Sequence, residues 1–393
     1  MNRGPKRLDL SLYISREPVI LAVLTGLAAV AFLAVTGLSR LYHAQQDSLA
    51  VEWSSRGATD LDAGRYKDAI AEFRTALQYA RDDEGYQLSL AEALLGLNRT
   101  DEAYAYLINL WDKQPENGVV NLELARIAVA RNETDSALRF YHNALYATWP
   151  GNQETERRKA RLDLINYLFR INARTQAESE LIALEANVGE DAAQQTMLGR
   201  LFLEAQDNSR ALAAFRESLK LEHENPAADA GAGAAAFNLG MYPAAERYLQ
   251  AAVAAVPGDA ASAALLKTAQ TVLRIDPYRE RISAVAERDR AVVEAFAVAG
   301  DRLKSCGVLD GAKTPMQGKP PAGASKTIAQ GLAVQWTQLA PRITERGLRR
   351  DPDLVNTAMN LAFQVESQTI AGCGEPTDAD KALRLIASQH EEN

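Results

Sequence analysis

Four histidines, two cysteines and an excess of carboxylates are the groups in this sequence that could do chemistry. His43, His142, His223 and His390 lie far apart, and none has a second histidine three or four residues along, the step that pairs two imidazoles on one helix face. Cys306 and Cys373 are the whole thiol content, so clustered cysteine and histidine cannot supply the four ligands of a structural zinc site. No glycine-rich phosphate loop follows a strand, because no convincing strand is present, and Gly231-Ala232-Gly233 falls inside a helical pattern where small residues serve close packing. No Ser-His-Asp or Cys-His arrangement emerges, and context marks no two carboxylates as an acid and its base. Asp82-Asp83-Glu84 reads as a solvated helix junction. The expectation is a protein that is not an enzyme, with no metal, no cofactor and no small-molecule substrate.

What must be positioned is therefore a surface. The 393 residues allow two or three domains on length alone. Hydrophobic residues make up 47% and aromatic ones 7%, which predicts an aliphatic, small-residue core. A net charge of -8 without a long basic run argues against nucleic acid, whose binding depends on lysine and arginine neutralising phosphates.

The dominant pattern runs from Ala50 to Asp259. Ala69, Ala103 and Ala137 are spaced by 34 residues, and Ala177, Ala211 and Ala245 repeat that step after one offset. Five residues before each alanine stands a turn residue or its substitute: Gly64, Asn98, Asn132, Asn172, Gln206 and Gly240. Four after it comes a large apolar residue: Phe73, Leu107, Tyr141, Leu181, Phe215 and Leu249. Twelve before it the residue is small (Gly57, Ala91, Ala125, Gly199, Gly233), with Ile165 the exception. A period of this length marks a repeated helix-turn-helix unit that cannot bury its apolar face without stacked neighbours.

This pattern resembles the tetratricopeptide repeat family. The resemblance covers about half the chain and implies an all-α solenoid of six repeats over residues 50–259, in units 50–83, 84–117, 118–151, 158–191, 192–225 and 226–259. It departs from the family in lacking the Trp-Leu-Gly signature, with only Trp53 in place, and in the offset around Thr148 to Gln153. Thr100, Thr134 and Asn208 stand where second helices begin and suit an N-cap. The Asn98-Arg99-Thr100 and Asn132-Glu133-Thr134 triplets have the form of glycosylation acceptors, but inter-helix turn chemistry explains them better.

Outside the repeats, Val19 to Leu38 runs twenty residues without a charge, the length of a transmembrane helix. A cleaved signal would be shorter and end at a small-x-small site, which Gly37-Leu38-Ser39-Arg40 does not offer. Arg3, Lys6, Arg7 and Arg16 precede the span and Arg40 follows it, which places the amino-terminal lead (residues 1–18) in the cytoplasm and the rest across the membrane. Ser39 to Leu49 reads as a polar juncture. Residues 260–305 read as a capping helix pair, 306–327 as a flexible Gly/Pro-rich loop, and 328–393 as a tail whose helices run from Ile328 to Gly347, Pro352 to Ala371 and Asp378 to Ser388. With both thiols beyond the crossing, where oxidation is allowed, a Cys306–Cys373 disulfide is expected.

In this family the first helix of each unit lines a concave face. The residues so placed in units two to five are Leu88, Leu95, Leu122, Val129, Leu162, Phe169 and Leu203, interrupted by Arg126, Asn166 and Arg200. The lysines of the family's two-carboxylate clamp are missing, so that peptide specificity is not carried over. The expected function is a membrane-tethered scaffold or accessory subunit, single-pass in a bacterial inner membrane with periplasmic repeats, that recruits a protein or peptide. The alternative is a chaperone-like binder of unfolded exported chains.

Overall fold

The computed structural model describes residues 16–279, 284–309, 324–369 and 373–391. Every named element among them is an α-helix. In chain order these are α1 (Arg16–Asp62), α2 (Tyr66–Tyr79), α3 (Glu84–Gly96), α4 (Thr100–Lys113), α5 (Gly118–Ala130), α6 (Thr134–Tyr146) and α7 (Gln153–Arg170). There follow α8 (Arg174–Glu185), α9 (Ala192–Glu204), α10 (Asn208–Leu221), α11 (Pro226–Asn238), α12 (Tyr242–Ala255) and α13 (Ala260–Ile275). The last five are α14 (Val285–Ser305), α15 (Ala324–Leu339), α16 (Glu345–Arg350), α17 (Leu354–Gln368) and α18 (Asp378–Glu391). The chain divides into two compact units, residues 1–167 and 168–393.

Unit one begins with a 47-residue helix. Its apolar side chains from Ile20 to Leu41 are exposed, and among the described residues it is the one helix long and apolar enough to cross a membrane by length and composition. The polar juncture at Ser39 to Leu49 is unbroken helix: the stretch holds no proline or glycine, so nothing stops the hydrogen-bond ladder. At Ala50, 1% exposed, the same helix enters the repeat packing and serves as the first helix of the first pair, against α2. Most of the lead, with Arg3, Lys6, Arg7 and Arg16, lies outside the residues whose side chains are described.

The six turn positions share one backbone state. Gly64, Asn98, Asn132, Asn172, Gln206 and Gly240 have φ of 71°, 61°, 59°, 59°, 67° and 70°. This left-handed conformation reverses the chain between paired helices, and glycine and asparagine adopt it at least cost. The helices expected to be capped by Thr100, Thr134 and Asn208 start one residue earlier than that reading requires. The N-cap positions are Arg99, Glu133 and Asp207, and of these only the Asp207 side chain caps, accepting the Arg210 N–H at 3.0 Å. The left-handed residue uses up the turn, so the cap position falls on the residue immediately after it.

The small and large residues of the repeat meet as their spacing requires. A Cβ added to Gly57 would stand 3.0 Å from the Phe73 ring, one on Gly199 2.8 Å from Phe215, and one on Gly233 2.6 Å from Leu249. Phe73, Phe215 and Leu249 are buried to 1% exposure or less. Gly199→Ala should therefore cost about 1–3 kcal/mol through overpacking. Urea denaturation checks this, with Ala91 and Ala125, the native alanines at the same repeat position, as the reference that the backbone itself tolerates the residue.

The offset between units three and four is a built feature. Trp149 is 4% exposed and donates its indole N–H to the Ala144 carbonyl at 2.9 Å. Thr148 pairs with the start of α5 through Thr148 N–H to Glu116 O (2.8 Å) and Gly118 N–H to Thr148 O (2.9 Å). The extra residues also lengthen α7 to 18 residues, where the other repeat helices that follow α1 have 12 to 14.

Unit two ends in a helical tail that packs back on the array. Lys267 of α13 binds Asp378 at the start of α18 at 2.7 Å, and Gln389 near its end donates to the carbonyl of Gly240 at 3.2 Å. The helix expected over Ile328 to Gly347 is two, α15 and α16. Pro341 has no N–H to continue the ladder, and Thr344 starts a new helix by accepting the Gly347 N–H at 3.1 Å. α15 also starts at Ala324, inside the stretch expected to be loop; residues 310–323 of that loop lie outside the described residues. A Cys306–Cys373 disulfide joins the end of α14 to the segment before α18, with Cα atoms 4.4 Å apart.

Candidate protein-binding surface

The first helices α3, α5 and α7 of unit one bring a charged cluster together on one face. Arg126 of α5 donates to Asp163 of α7 through Nε at 3.0 Å and Nη2 at 2.6 Å, and to Glu123 through Nη1 at 2.5 Å. Glu92 of α3 stands close enough to Glu123 to feel its charge. Burial, and then the neighbouring Glu123, push the Glu92 carboxyl above its ordinary value. Burial does the same to Glu123 against the pull of Arg126. Arg126 is also held up: burial opposes this, and the bonded carboxylates outweigh it. Two carboxylates, Glu123 and Asp163, thus share one guanidinium, with Glu92 beside them.

Around this cluster the expected apolar residues divide. Leu122 is 6% exposed and packs between helices, whereas Leu88, Leu95, Val129 and Leu162 are half-buried and Asn166 is exposed. In unit two, Phe169 and Leu203 are half-buried and Arg200 is exposed, with no ion-pair partner among the described residues. The two arginines therefore differ. Arg126 is engaged by its own chain, and Arg200 has its hydrogen-bonding groups free for another.

Sequence reasoning passed over Asp163 and Glu123. Glu123 stands three residues from Arg126, the spacing at which helix side chains meet. Asp163 is 37 residues away, and only the repeat alignment after the offset places it beside Arg126. Thr196, which shares its repeat position with Leu88, Leu122 and Leu162, is buried as Leu122 is, and is bonded to the hydroxyl of Ser218 at 2.7 Å. Among the described residues no group of three or more His, Cys, Asp or Glu is arranged to hold a metal ion.

Residues 60–113 and 196–260 each match the family description "Tetratricopeptide repeat". No curated protein matches the chain. Among solved structures, the C-terminal part of a TPR repeat-containing protein from Cytophaga hutchinsonii is similar at 13% identity, covering 62% of this chain and 94% of that one, with a TM-score of 0.45. The Pseudomonas aeruginosa pilF structure is similar at 16% identity over 55% and 90%, with a TM-score of 0.34. A tetratricopeptide repeat protein from Parabacteroides merdae is similar at 12% identity over 86% and 99%, with a TM-score of 0.29. The two matched segments hold the helix pairs and left-handed turns described above, the second also the Gly199–Phe215 contact, and these two segments are tetratricopeptide repeats.

Proposed function

We propose that this protein is a non-catalytic, membrane-tethered scaffold or accessory subunit of a bacterial envelope, recruiting a protein partner through the first-helix faces of its repeats. Tetratricopeptide repeats are protein-binding modules, and stacked repeats offer their first helices as an extended binding face. The observation that carries the reading is the set of half-buried leucines and valine beside exposed polar groups: Leu88, Leu95, Val129, Leu162 and Asn166 in unit one, Phe169, Leu203 and Arg200 in unit two. Apolar anchors supply most of the affinity on such faces, and an unpaired arginine sets register by binding a carboxylate.

Tethering rests on the apolar stretch of α1, and the unbroken passage of α1 into the first repeat supports a rigid stand-off. At about 1.5 Å per residue, the twelve steps from Leu38 to Ala50 hold the array roughly 18 Å from the end of the apolar span. The test is cross-linking in native membranes, followed by co-purification with variants. Arg200→Glu combined with Leu203→Ala should weaken a stoichiometric partner by about 2–5 kcal/mol. Arg74→Glu with Arg139→Glu, on second helices, should leave it bound. Loss of the partner only with the second pair would move the site off the first helices. Weak binding to many extended peptides would make the protein a chaperone-like binder instead.

A further inference from the structure

Beside the last repeat, unit two holds a cleft of about 1000 Å³ that the inner-face reading does not use. Its walls are the first turn of α12, the end of α13 with Asp276, Tyr278 and Arg279 beyond it, and the last turns of α18. At the wall stands Asp276, 9% exposed. One carboxylate oxygen accepts the Tyr278 N–H at 2.9 Å. Among the described residues no lysine, arginine or histidine nitrogen comes within ion-pair distance of it. A carboxylate this deep with a single hydrogen bond is costly unless something pairs it.

The arginines already in the cleft are bonded or stacked elsewhere, and Arg279 reaches Asp276 only through its charge at a distance. Arg279 donates to the Leu273 carbonyl and to Glu287. The Arg247 guanidinium sits over the Tyr248 ring, 4.8 Å from its centroid. Around Asp276 the surroundings are aromatic and apolar: Tyr242, Tyr278 and His390, whose ring meets that of Tyr278, with Leu273 and Ile386 behind. Aromatic faces attract cations, and aliphatic walls accept a methylene stem. Burial of Asp276 pushes its carboxyl up, and the Tyr242 phenol, buried and near Asp276, is pushed up to about 12. Burial is the larger cause of both shifts, and the Tyr278 N–H, His390 and Arg279 pull Asp276 the other way without offsetting it.

We propose that this cleft binds an organic cation on an aliphatic stem, a primary ammonium or guanidinium paired with Asp276 and faced by Tyr242 and Tyr278. The chemistry fits a lysine or arginine side chain of a polypeptide and equally a free diamine. The cleft lies outside the first-helix faces, so it is a second site and stands or falls apart from the function proposed above.

The test is isothermal titration of the full chain in detergent micelles with three probes. These are a blocked Ala-Lys-Ala tripeptide, the same peptide with norleucine for lysine, and cadaverine. The lysine peptide or cadaverine should bind, and the norleucine peptide should bind roughly tenfold more weakly or worse. Binding of the peptide but not cadaverine identifies a polypeptide as the source; tighter binding of cadaverine identifies a free amine. Asp276→Asn keeps the acceptor for the Tyr278 N–H and removes the charge. It should reduce cation affinity by roughly tenfold or more while helix content and inner-face partner binding stay unchanged. Equal binding of the norleucine peptide, unchanged affinity in Asp276→Asn, or no heat from either cation would overturn the proposal.

Discussion

Replacing Cys306 and Cys373 by serine should lower the stability of unit two by about 4 kcal/mol in the chain-entropy account of a cross-link closing this length of chain. The disulfide spans a sequence separation of 67 and encloses α15, α16 and α17. Its loss frees the unfolded chain far more than it disturbs native packing, so the urea midpoint should fall with the helix signal of the folded protein unchanged. A second device holds the same segment. Arg302 is 2% exposed and donates to the carbonyls of Thr369 at 3.0 Å, Cys373 at 3.3 Å and Gly374 at 3.2 Å. Because Arg302 and the disulfide fasten one stretch of backbone, their removals should not add. Arg302→Met should cost less in the serine variant than in the native chain, since the carbonyls it deserts are then free to reach water. A double-mutant cycle measures the coupling. Rapid alkylation of both thiols in the unreduced native protein would remove the basis of the prediction.

How much of this was legible in the sequence depends on how local the cause is. The repeat could be read because each unit needs one small residue, one bulky residue and one left-handed turn at fixed offsets, as Gly199, Phe215 and Gln206 show. Gln206 could be placed only by its offset, since its side chain does not advertise a turn. The continuity of α1 through Ser39 to Leu49 was hidden because that stretch lacks a clean apolar stripe, although it also lacks any residue that would stop a helix. Pro341 is visible in the sequence, and the helix expected over Ile328 to Gly347 runs through it.

The charged groups were the hardest to read. Arg126 interrupts an apolar line in the sequence, yet its bonded partner Asp163 comes from the next first helix. In the sequence Asp276 is one carboxylate before Pro277; what makes it a candidate ligand is the return of α18 more than a hundred residues later. No spacing rule reaches that far. The paired cysteines were legible for a different reason, since with two thiols there is one pairing to consider.

Glu366→Gln should flatten the pH dependence of stability between mildly acidic and mildly alkaline conditions, with the largest gain at the alkaline end. Glu366 of α17 is 1% exposed. Burial first, and then the Asp380 carboxylate, push its carboxyl from the ordinary 4.5 up to about 8, against the pull of Arg384 and Arg302. Arg384 donates to Oε2 at 3.2 Å, while Oε1 faces no donor among the described residues. That arrangement is satisfied when Oε1 keeps a proton and donates it to Asp380, itself fixed by the Thr377 N–H at 2.7 Å. Below pH 4.5 the group is protonated in folded and unfolded chains alike and costs nothing. Between 4.5 and about 8 the unfolded chain has released a proton that the folded chain still holds, so each rise in pH lowers stability. Above about 8 both are ionised and the loss is complete, on the order of 4 kcal/mol for a shift of this size. Glutamine supplies a permanent N–H toward Asp380 and keeps an acceptor for Arg384 without a charge to lose. The variant should match the native protein near pH 4.5 and exceed it by a few kcal/mol near pH 8.5, about the size of the native loss. Urea unfolding across that range reads the difference directly. A native stability that stays level or rises through this window, or a glutamine variant that loses stability in parallel with it, would show that Glu366 is ionised in its buried site and paired there by Arg384.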